Sequence, residues 1–112
     1  MRRENRLRAP KDFSHVYRTG SRAHTETVVV RAAVDDGRTP RVGFTCSKRA
    51  GNAVTRNRVK RRLRAATEPL VDSLRPGSQV VLQATPSAAS VSWQKLVDDV
   101  SRALGAVGAL DA

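Results

Sequence analysis

The sequence predicts a small two-layer α+β sandwich, and three observations lead to this fold class. The chain has 112 residues, the size of one domain. Runs of β-branched residues alternate with segments of helical spacing, in the order helix, strands, helix, strand, helix. Aromatic residues make up only 4% of the chain, so the core must consist mainly of Val, Leu and Ala. We therefore expect a single domain over residues 1–112.

The first half is predicted to contain one helix and two strands. Pro10 opens a short helix in which Phe13 and Tyr17, four residues apart, share one face. The β-branched stretch 27–34 and the stretch 41–46 each have the composition of a strand. Because turn-forming residues separate the two stretches, we expect them to pair as an antiparallel hairpin.

The second half is predicted to begin with a helix that starts at Ala53. Asn52 has the side chain preferred at a helix N-cap. Pro69 is expected to bend the end of this helix, because proline interrupts the helical hydrogen-bond pattern.

A strand at 79–84 and a final helix are predicted to complete the fold. Ser90 or Ser92 is expected to cap that helix. Trp93 stands at the start of its apolar stripe, so we expect its indole to pack in the core. Residues 105–112 are expected to form a loose C-terminal tail.

The charge of the chain predicts a polyanionic partner. It carries 21 Lys and Arg against 10 Asp and Glu, a net charge of +11. Residues 37–67 hold ten of the basic residues and no acidic one, and four arginines make residues 1–8 a basic arm. A domain this basic most often binds nucleic acid. No apolar run approaches the ~20 residues of a membrane span.

The helix that begins at Ala53 is the centre of this charge. One narrow apolar stripe contains Val59, Leu63, Ala66 and Leu70, and nearly everything else on the helix is cationic. Like charges four residues apart, such as Arg56 and Lys60, each destabilise a helix by roughly 0.2–0.5 kcal/mol. No nearby acid offsets them, whereas an ordinary solvated face mixes both signs. The pattern therefore favours a phosphate-binding surface, for which arginine is suited.

Three other interpretations of the basic helix and the histidines stay open. A structural RNA-binding protein, such as a ribosomal protein, would share the charge and the sandwich. An acidic protein or an anionic membrane could attract the helix, although its apolar stripe is too narrow for membrane insertion. His15 and His24 could act as acid and base in a ribonuclease. They fall on different predicted elements without an acidic partner, so we predict no catalytic residue.

Cysteine and metal chemistry add little to these interpretations. Cys46 is the sole cysteine, which excludes an intrachain disulfide and fits a cytoplasmic location. We expect it to be a small buried side chain. No Cys or His cluster has the spacing of a zinc site, so we predict no metal ligand on the protein.

Two stretches closely resemble the signature of the bacterial ribonuclease P protein subunit. They read RVGFTCSKRAGNAVTRNRVKRRLR and NRLRAPKDFSHVYRTG, and the likeness extends over roughly 5–104. This resemblance implies the order αβββαβα, a mixed sheet packed by three helices, and a left-handed βαβ crossover around the basic helix. It also implies a protein that binds a large catalytic RNA and assists removal of the 5′ leader from precursor tRNA.

The resemblance further implies which partners and residues take part. The RNA holds the magnesium ions and performs the chemistry, the protein alone is inactive, and no membrane or small-molecule substrate is involved. The leader cleft would be formed by Phe13, Tyr17, Arg31 and Thr45. Many relatives carry an aromatic residue at Arg31 and a basic one at Ala84. Binding of RNA is implied for nine further residues: Lys48, Arg49, Asn52, Arg56, Asn57, Arg58, Lys60, Arg61 and Arg64.

Overall fold

A computed structural model describes residues 2–35, 37 and 39–111 of the chain. Among them, three helices and four strands follow the order αβββαβα, so the predicted order is confirmed. Short 3-10 turns join several of these elements. The elements are α1 (Pro10–Thr19), β1 (Ser21–His24), β2 (Val28–Val34), β3 (Arg41–Cys46), α2 (Ala53–Thr67), β4 (Ser78–Ala84) and α3 (Trp93–Ala106).

The four strands form one mixed sheet in the order β1-β2-β4-β3. β4 pairs antiparallel with β2 and parallel with β3. The predicted hairpin between β2 and β3 is therefore wrong, because β4 lies between them. The reason is burial: Val80, Val81 and Leu82 are each fully buried, and a strand that is apolar on both faces needs partners on both edges. The left-handed sense of the crossover through α2 stays a prediction.

The two faces of the sheet are covered differently. One face packs beneath α2 and α3, where side chains such as Val30, Leu63 and Leu82 form the main core. This sheet and helix pair make the predicted α+β sandwich. The opposite face carries α1, and there a smaller cluster brings Val16 of the helix against Val81 of β4. Arg31 of β2 and Thr45 of β3 are only half-buried on this face. The short helix α1 therefore leaves part of the sheet accessible, and we call this part the cleft beside α1.

Helix capping follows the sequence closely, whereas the environment of the tryptophan does not. The Asn52 side chain accepts a hydrogen bond from the Thr55 N–H at 3.0 Å, as predicted for the start of α2. Ser92, one of the two candidates, caps α3.

The prediction that Trp93 is a core residue is wrong, since it is 47% exposed. It is the first residue of α3 and precedes the buried stripe that begins at Leu96.

The described part of the C-terminal segment, residues 105–111, is packed rather than loose as expected, whereas Ala112 lies outside the described residues. Ala109 is buried, and Leu110 forms a bridge with Leu74. The Asp111 N–H donates to the Ser73 carbonyl at 2.7 Å. Gly108 allows the reversal after α3, because its φ of 73° lies in the left-handed region that favours glycine. The described part of this segment thus adds apolar area to the core.

A buried carboxylate ties α3 to the turn between β1 and β2. The Thr27 hydroxyl donates to Asp99 at 2.8 Å, and both side chains are fully buried. Lys95 lies 3.2 Å from the other oxygen of Asp99 and 3.5 Å from Glu26. Burial by itself raises the pKa of Asp99, but the hydrogen bonds from Thr27 and Lys95 and the charges of Lys95 and Arg102 outweigh it. The pKa of Asp99 therefore lies below its ordinary value.

Candidate nucleic-acid interface

Helix α2 presents a cationic surface because its apolar residues point in one direction. Val59, Leu63 and Ala66 are buried against the sheet, which confirms the predicted stripe. The salt bridges described in the structure, Arg2 with Glu4 and Lys95 with Glu26 and Asp99, lie on other elements. The residues of the predicted set that are exposed on this helix are Asn57, Arg58, Arg61 and Arg64.

An open depression marks the outer side of α2, here called the α2 surface. It encloses about 460 Å³ and is lined by Val54, Asn57, Lys60, Arg61 and Arg64. The Arg64 guanidinium stands 5.6 Å from the centre of the Phe44 ring on β3, a cation–π distance. The contact holds the guanidinium group near the Phe44 ring. The N–H groups of Arg64 can still donate hydrogen bonds to a ligand. The surface thus offers three cations and one amide to an anionic ligand.

The residues at the start of α2 are more enclosed. A second depression of about 180 Å³ is lined by Cys46, Ala53, Arg56, Asn57 and Lys60. Burial raises the pKa of the Cys46 thiol, and the charges of Arg56 and Lys60 oppose that rise only in part. The thiol is therefore neutral at pH 7, consistent with the half-buried side chain. The Nε of Arg56 is buried without a hydrogen-bond partner among the described residues.

The turn before α2 supplies the other predicted ligands. Lys48 and Arg49 are both exposed on a short 3-10 turn, Lys48–Ala50. The Ser47 hydroxyl accepts a hydrogen bond from the Arg49 N–H at 3.2 Å, which orders the turn. Asn52 has a structural task as the cap of α2, and its amide nitrogen stays available to donate to a ligand.

Arg62 differs from its neighbours on α2, and the sequence pattern did not reveal why. Its guanidinium donates to the carbonyl oxygens of Ala88 and Val91, both at 2.9 Å. These contacts hold the segment that leads into α3. The long side chain of Arg62 is therefore part of the fold rather than of the α2 surface. The sequence indicated this role only through the position of Arg62 at the edge of the apolar stripe, where a side chain can contact the protein rather than solvent.

The cleft beside α1 brings together most of the residues predicted to line it. Tyr17 is 44% exposed, and the Arg31 guanidinium lies 4.8 Å from the centre of its ring. Nη1 of Arg31 is also 3.5 Å from the side-chain oxygen of Gln83, a residue that the sequence analysis missed. Thr45 is the register partner of Gln83, and its hydroxyl is buried without a partner among the described residues.

Phe13 lies on the same side of the sheet as Tyr17 and Arg31, at the position of Gly43. Its ring lies over Gly43, where an added Cβ would be 2.4 Å from Cζ of the phenyl group. The close approach therefore requires glycine at position 43. Phe13 also packs against the small cluster that contains Val16 and Val81. Of the two aromatic residues, Tyr17 is the more exposed.

Sulfate should stabilise the isolated protein more than chloride does at the same ionic strength. The like charges of α2 repel one another, and an anion bound to the α2 surface would relieve that repulsion only in the folded state. Each kcal/mol of stabilisation raises Tm by roughly 4 °C or more in a domain of this size. Thermal unfolding monitored by circular dichroism measures the difference. Superimposable melting curves in the two salts would contradict the prediction.

No helix in the described ranges is long and apolar enough to cross a membrane.

The chain is similar to members of one known protein family. The sequence model of the family described as Ribonuclease P matches residues 1–108. A ribonuclease P protein component from Beutenbergia cavernae is 46% identical over 105 residues, which cover 93% of this chain and 88% of the relative. One from Micrococcus luteus is 44% identical over 115 residues, covering 92% and 87%.

Solved structures support the fold independently. The RNase P protein from Staphylococcus aureus matches with a TM-score of 0.84 and 21% identity, over 95% of this chain and 97% of that one. The RNase P protein from Thermotoga maritima matches with a TM-score of 0.76 and 21% identity, over 87% and 92%. At these identities the structural likeness bears on the fold alone.

Proposed function

This chain belongs to the ribonuclease P protein family, a component of the ribonucleoprotein that processes tRNA, and we propose that it binds two RNA molecules at once. In this proposal the α2 surface binds the catalytic RNA subunit, and the cleft beside α1 binds the 5′ leader of precursor tRNA. The observation that carries it is the placement of the two surfaces. Helices α1 and α2 pack on opposite faces of one sheet, so neither surface obstructs the other.

The α2 surface suits the backbone of a folded RNA. Its cations come from a rigid helix, and arginine can donate two parallel hydrogen bonds to one phosphate. The turn with Lys48 and Arg49 extends this surface beyond the start of the helix. The nine residues implied by the resemblance are proposed to act together here, and Asn52 also caps the helix that carries most of them.

The cleft suits a single strand. Tyr17 offers a ring face on which any base can stack, and such stacking does not depend on base identity. Arg31 lies against the same ring and carries a charge that can pair with phosphate. Beside Tyr17 this chain therefore offers a guanidinium that can also stack. Phe13 is proposed to shape the floor of the cleft.

Magnesium and the hydrolysis itself are proposed to lie with the RNA. Magnesium prefers oxygen ligands, chiefly carboxylates and water. In the part of the chain that the structure describes, no three His, Cys, Asp or Glu side chains are grouped so as to hold a metal ion. The proposal assigns the protein no step of the chemistry. Its proposed contribution is to hold the leader and the catalytic RNA in one particle.

Tyr17→Ala should weaken the binding of leader-bearing precursor tRNA and spare mature tRNA. Loss of one stacked base costs about 1–3 kcal/mol, roughly a five- to 150-fold loss of affinity. The measurement is the affinity of the reconstituted particle for both tRNA forms, with RNA-free protein as a control for cleavage. Trp93→Ala is the matched variant, because its aromatic ring is exposed to a similar extent on another element.

Three outcomes would contradict the proposal. Equal losses for both tRNA forms would mean that the cleft does not hold the leader. A wild-type protein that binds both forms equally would favour the alternative, a structural RNA-binding protein. Cleavage of precursor tRNA by rigorously RNA-free protein would move the chemistry to the polypeptide and revive His15 and His24 as candidates.

A further inference from the structure

The basic N-terminal arm is fixed to the edge of the sheet. The Leu7 N–H donates to the Val42 carbonyl at 3.0 Å, and Leu7 is only 5% exposed. The Asn5 amide donates to the Pro40 carbonyl at 2.8 Å, and Asn5 is likewise buried. Because alternate residues of an extended segment point in opposite directions, Arg6 and Arg8 are exposed. The arm therefore holds its cations in a set position.

These cations border a groove, here called the arm groove. It is an open depression of about 620 Å³. Its charged lining contains four arginines against two carboxylates, and Arg2 lies 3.6 Å from one of those, Glu4. The residues that line the groove are Arg3, Glu4, Arg6, Arg8, Ala9, Asp12, Thr39 and Arg41. The excess of arginine makes the groove a surface for an extended anion.

The arm groove adjoins the part of the cleft that contains Phe13. Leu7 and Phe13 belong to the same small apolar cluster. Both side chains also border Gly43, since an added Cβ there would lie 3.3 Å from Leu7 Cβ and 2.4 Å from Phe13. Asp12, the neighbour of Phe13, lines the groove itself. A strand that leaves the cleft at Phe13 would therefore meet the arginines of the arm next.

The groove is separate from the α2 surface. Arg41 is the first residue of β3, whereas α2 follows the other end of that strand. Six residues of a β-strand span roughly 17 Å between the first and last Cα. The arm arginines thus lie at the opposite end of the edge strand from Lys48 and Arg49. A single RNA segment bound at α2 would therefore not need to reach them.

We infer that the arm groove binds the phosphate backbone of leader nucleotides beyond those held in the cleft. This inference rests on the proposed function of the cleft. The backbone hydrogen bonds of the arm fix its course before any ligand arrives, so little ordering is needed on binding. A single strand offers regularly spaced phosphates to Arg6, Arg8 and Arg41. The affinity for precursor tRNA would then depend on the presence of a leader, through stacking in the cleft. It would also depend on the length of the leader, through charge in the arm groove.

The test is a series of precursor tRNAs whose leaders are lengthened one nucleotide at a time. For the wild-type particle, affinity should rise a second time once the leader reaches the arm groove. Arg8→Gln should remove much of that second rise, a loss of about tenfold at the longest leaders. It should also flatten the salt dependence by about 0.7 in log–log slope. Asp12→Asn should act in the opposite direction, because it removes a carboxylate from the path.

Arg102→Gln is the matched control, since this exposed arginine lies on α3 and removes the same charge. Its affinities should follow the wild-type series at every leader length. Superimposable series for Arg8→Gln and wild type would overturn the inference, as would an equal loss for mature tRNA. If the wild type itself binds precursor and mature tRNA equally, the proposed function of the cleft fails as well. A preserved preference for precursor tRNA with no effect of Arg8→Gln refutes the arm groove alone.

Discussion

Replacing Arg61 and Arg64 together with alanine should lower the affinity for the catalytic RNA by one to two orders of magnitude. Both side chains are exposed on the α2 surface, so the double substitution removes two phosphate-binding groups and leaves the core intact. Hydrogen bonds that involve a charged group are worth about 1.5–3 kcal/mol each, and solvent exposure favours the lower end. The log–log salt dependence should flatten by about 0.7–0.9 for each phosphate that the protein no longer neutralises.

Arg62→Ala provides the control on the same helix. This arginine holds the Ala88 and Val91 carbonyls, so its removal should lower the free energy of unfolding by about 1–3 kcal/mol. Its effect on the salt slope of RNA binding should be small. Binding titrations at several salt concentrations, combined with urea unfolding, separate the two effects. An unchanged slope in the Arg61 and Arg64 double variant would show that α2 does not contact the RNA backbone.

Asp99→Ala should lower the free energy of unfolding by about 2–3 kcal/mol at pH 7. The substitution leaves the buried Thr27 hydroxyl without its acceptor and opens the ion pair with Lys95. The cost of such an unsatisfied buried group is about 1–3 kcal/mol, to which a small cavity adds. Lys95 is partly exposed, so water can solvate its ammonium group and limit the loss. Asp98→Ala, the exposed neighbour, should change stability little.

The contribution of Asp99 to stability should also depend on pH in a defined direction. Its pKa in the folded protein lies below the ordinary value, so its ionised form stabilises the fold at neutral pH. That contribution is complete above the pKa of the unfolded chain, about 4. It is lost as the pH falls through the folded-state pKa. Urea unfolding at a series of pH values should show the wild type and Asp99→Ala converging in acid. A constant difference down to pH 2 would contradict this.

Several features could be predicted because they depend on neighbouring residues alone. Asn52 caps α2, and Pro10 starts α1, through contacts within a single turn. The strand Arg41–Cys46 was predicted with its observed bounds. Resemblance added what composition does not contain, including the strand β1, whose Ser-Arg-Ala-His sequence is too polar to indicate a strand. It also pointed to Tyr17 and Arg31 as neighbours in the cleft. In the fold the Arg31 guanidinium lies 4.8 Å from the centre of the Tyr17 ring.

The sequence by itself determined the class of the fold, the helix ends and the cationic face of α2, since each follows from local periodicity or charge. Only the tertiary structure decided which strands pair. β4 separates β2 from β3 because a strand apolar on both faces is most stable in the centre of the sheet. The roles of Arg62 and Gln83 and the packing of the C-terminal segment were likewise decided there. Each depends on contacts between residues far apart in the chain, which no local pattern encodes.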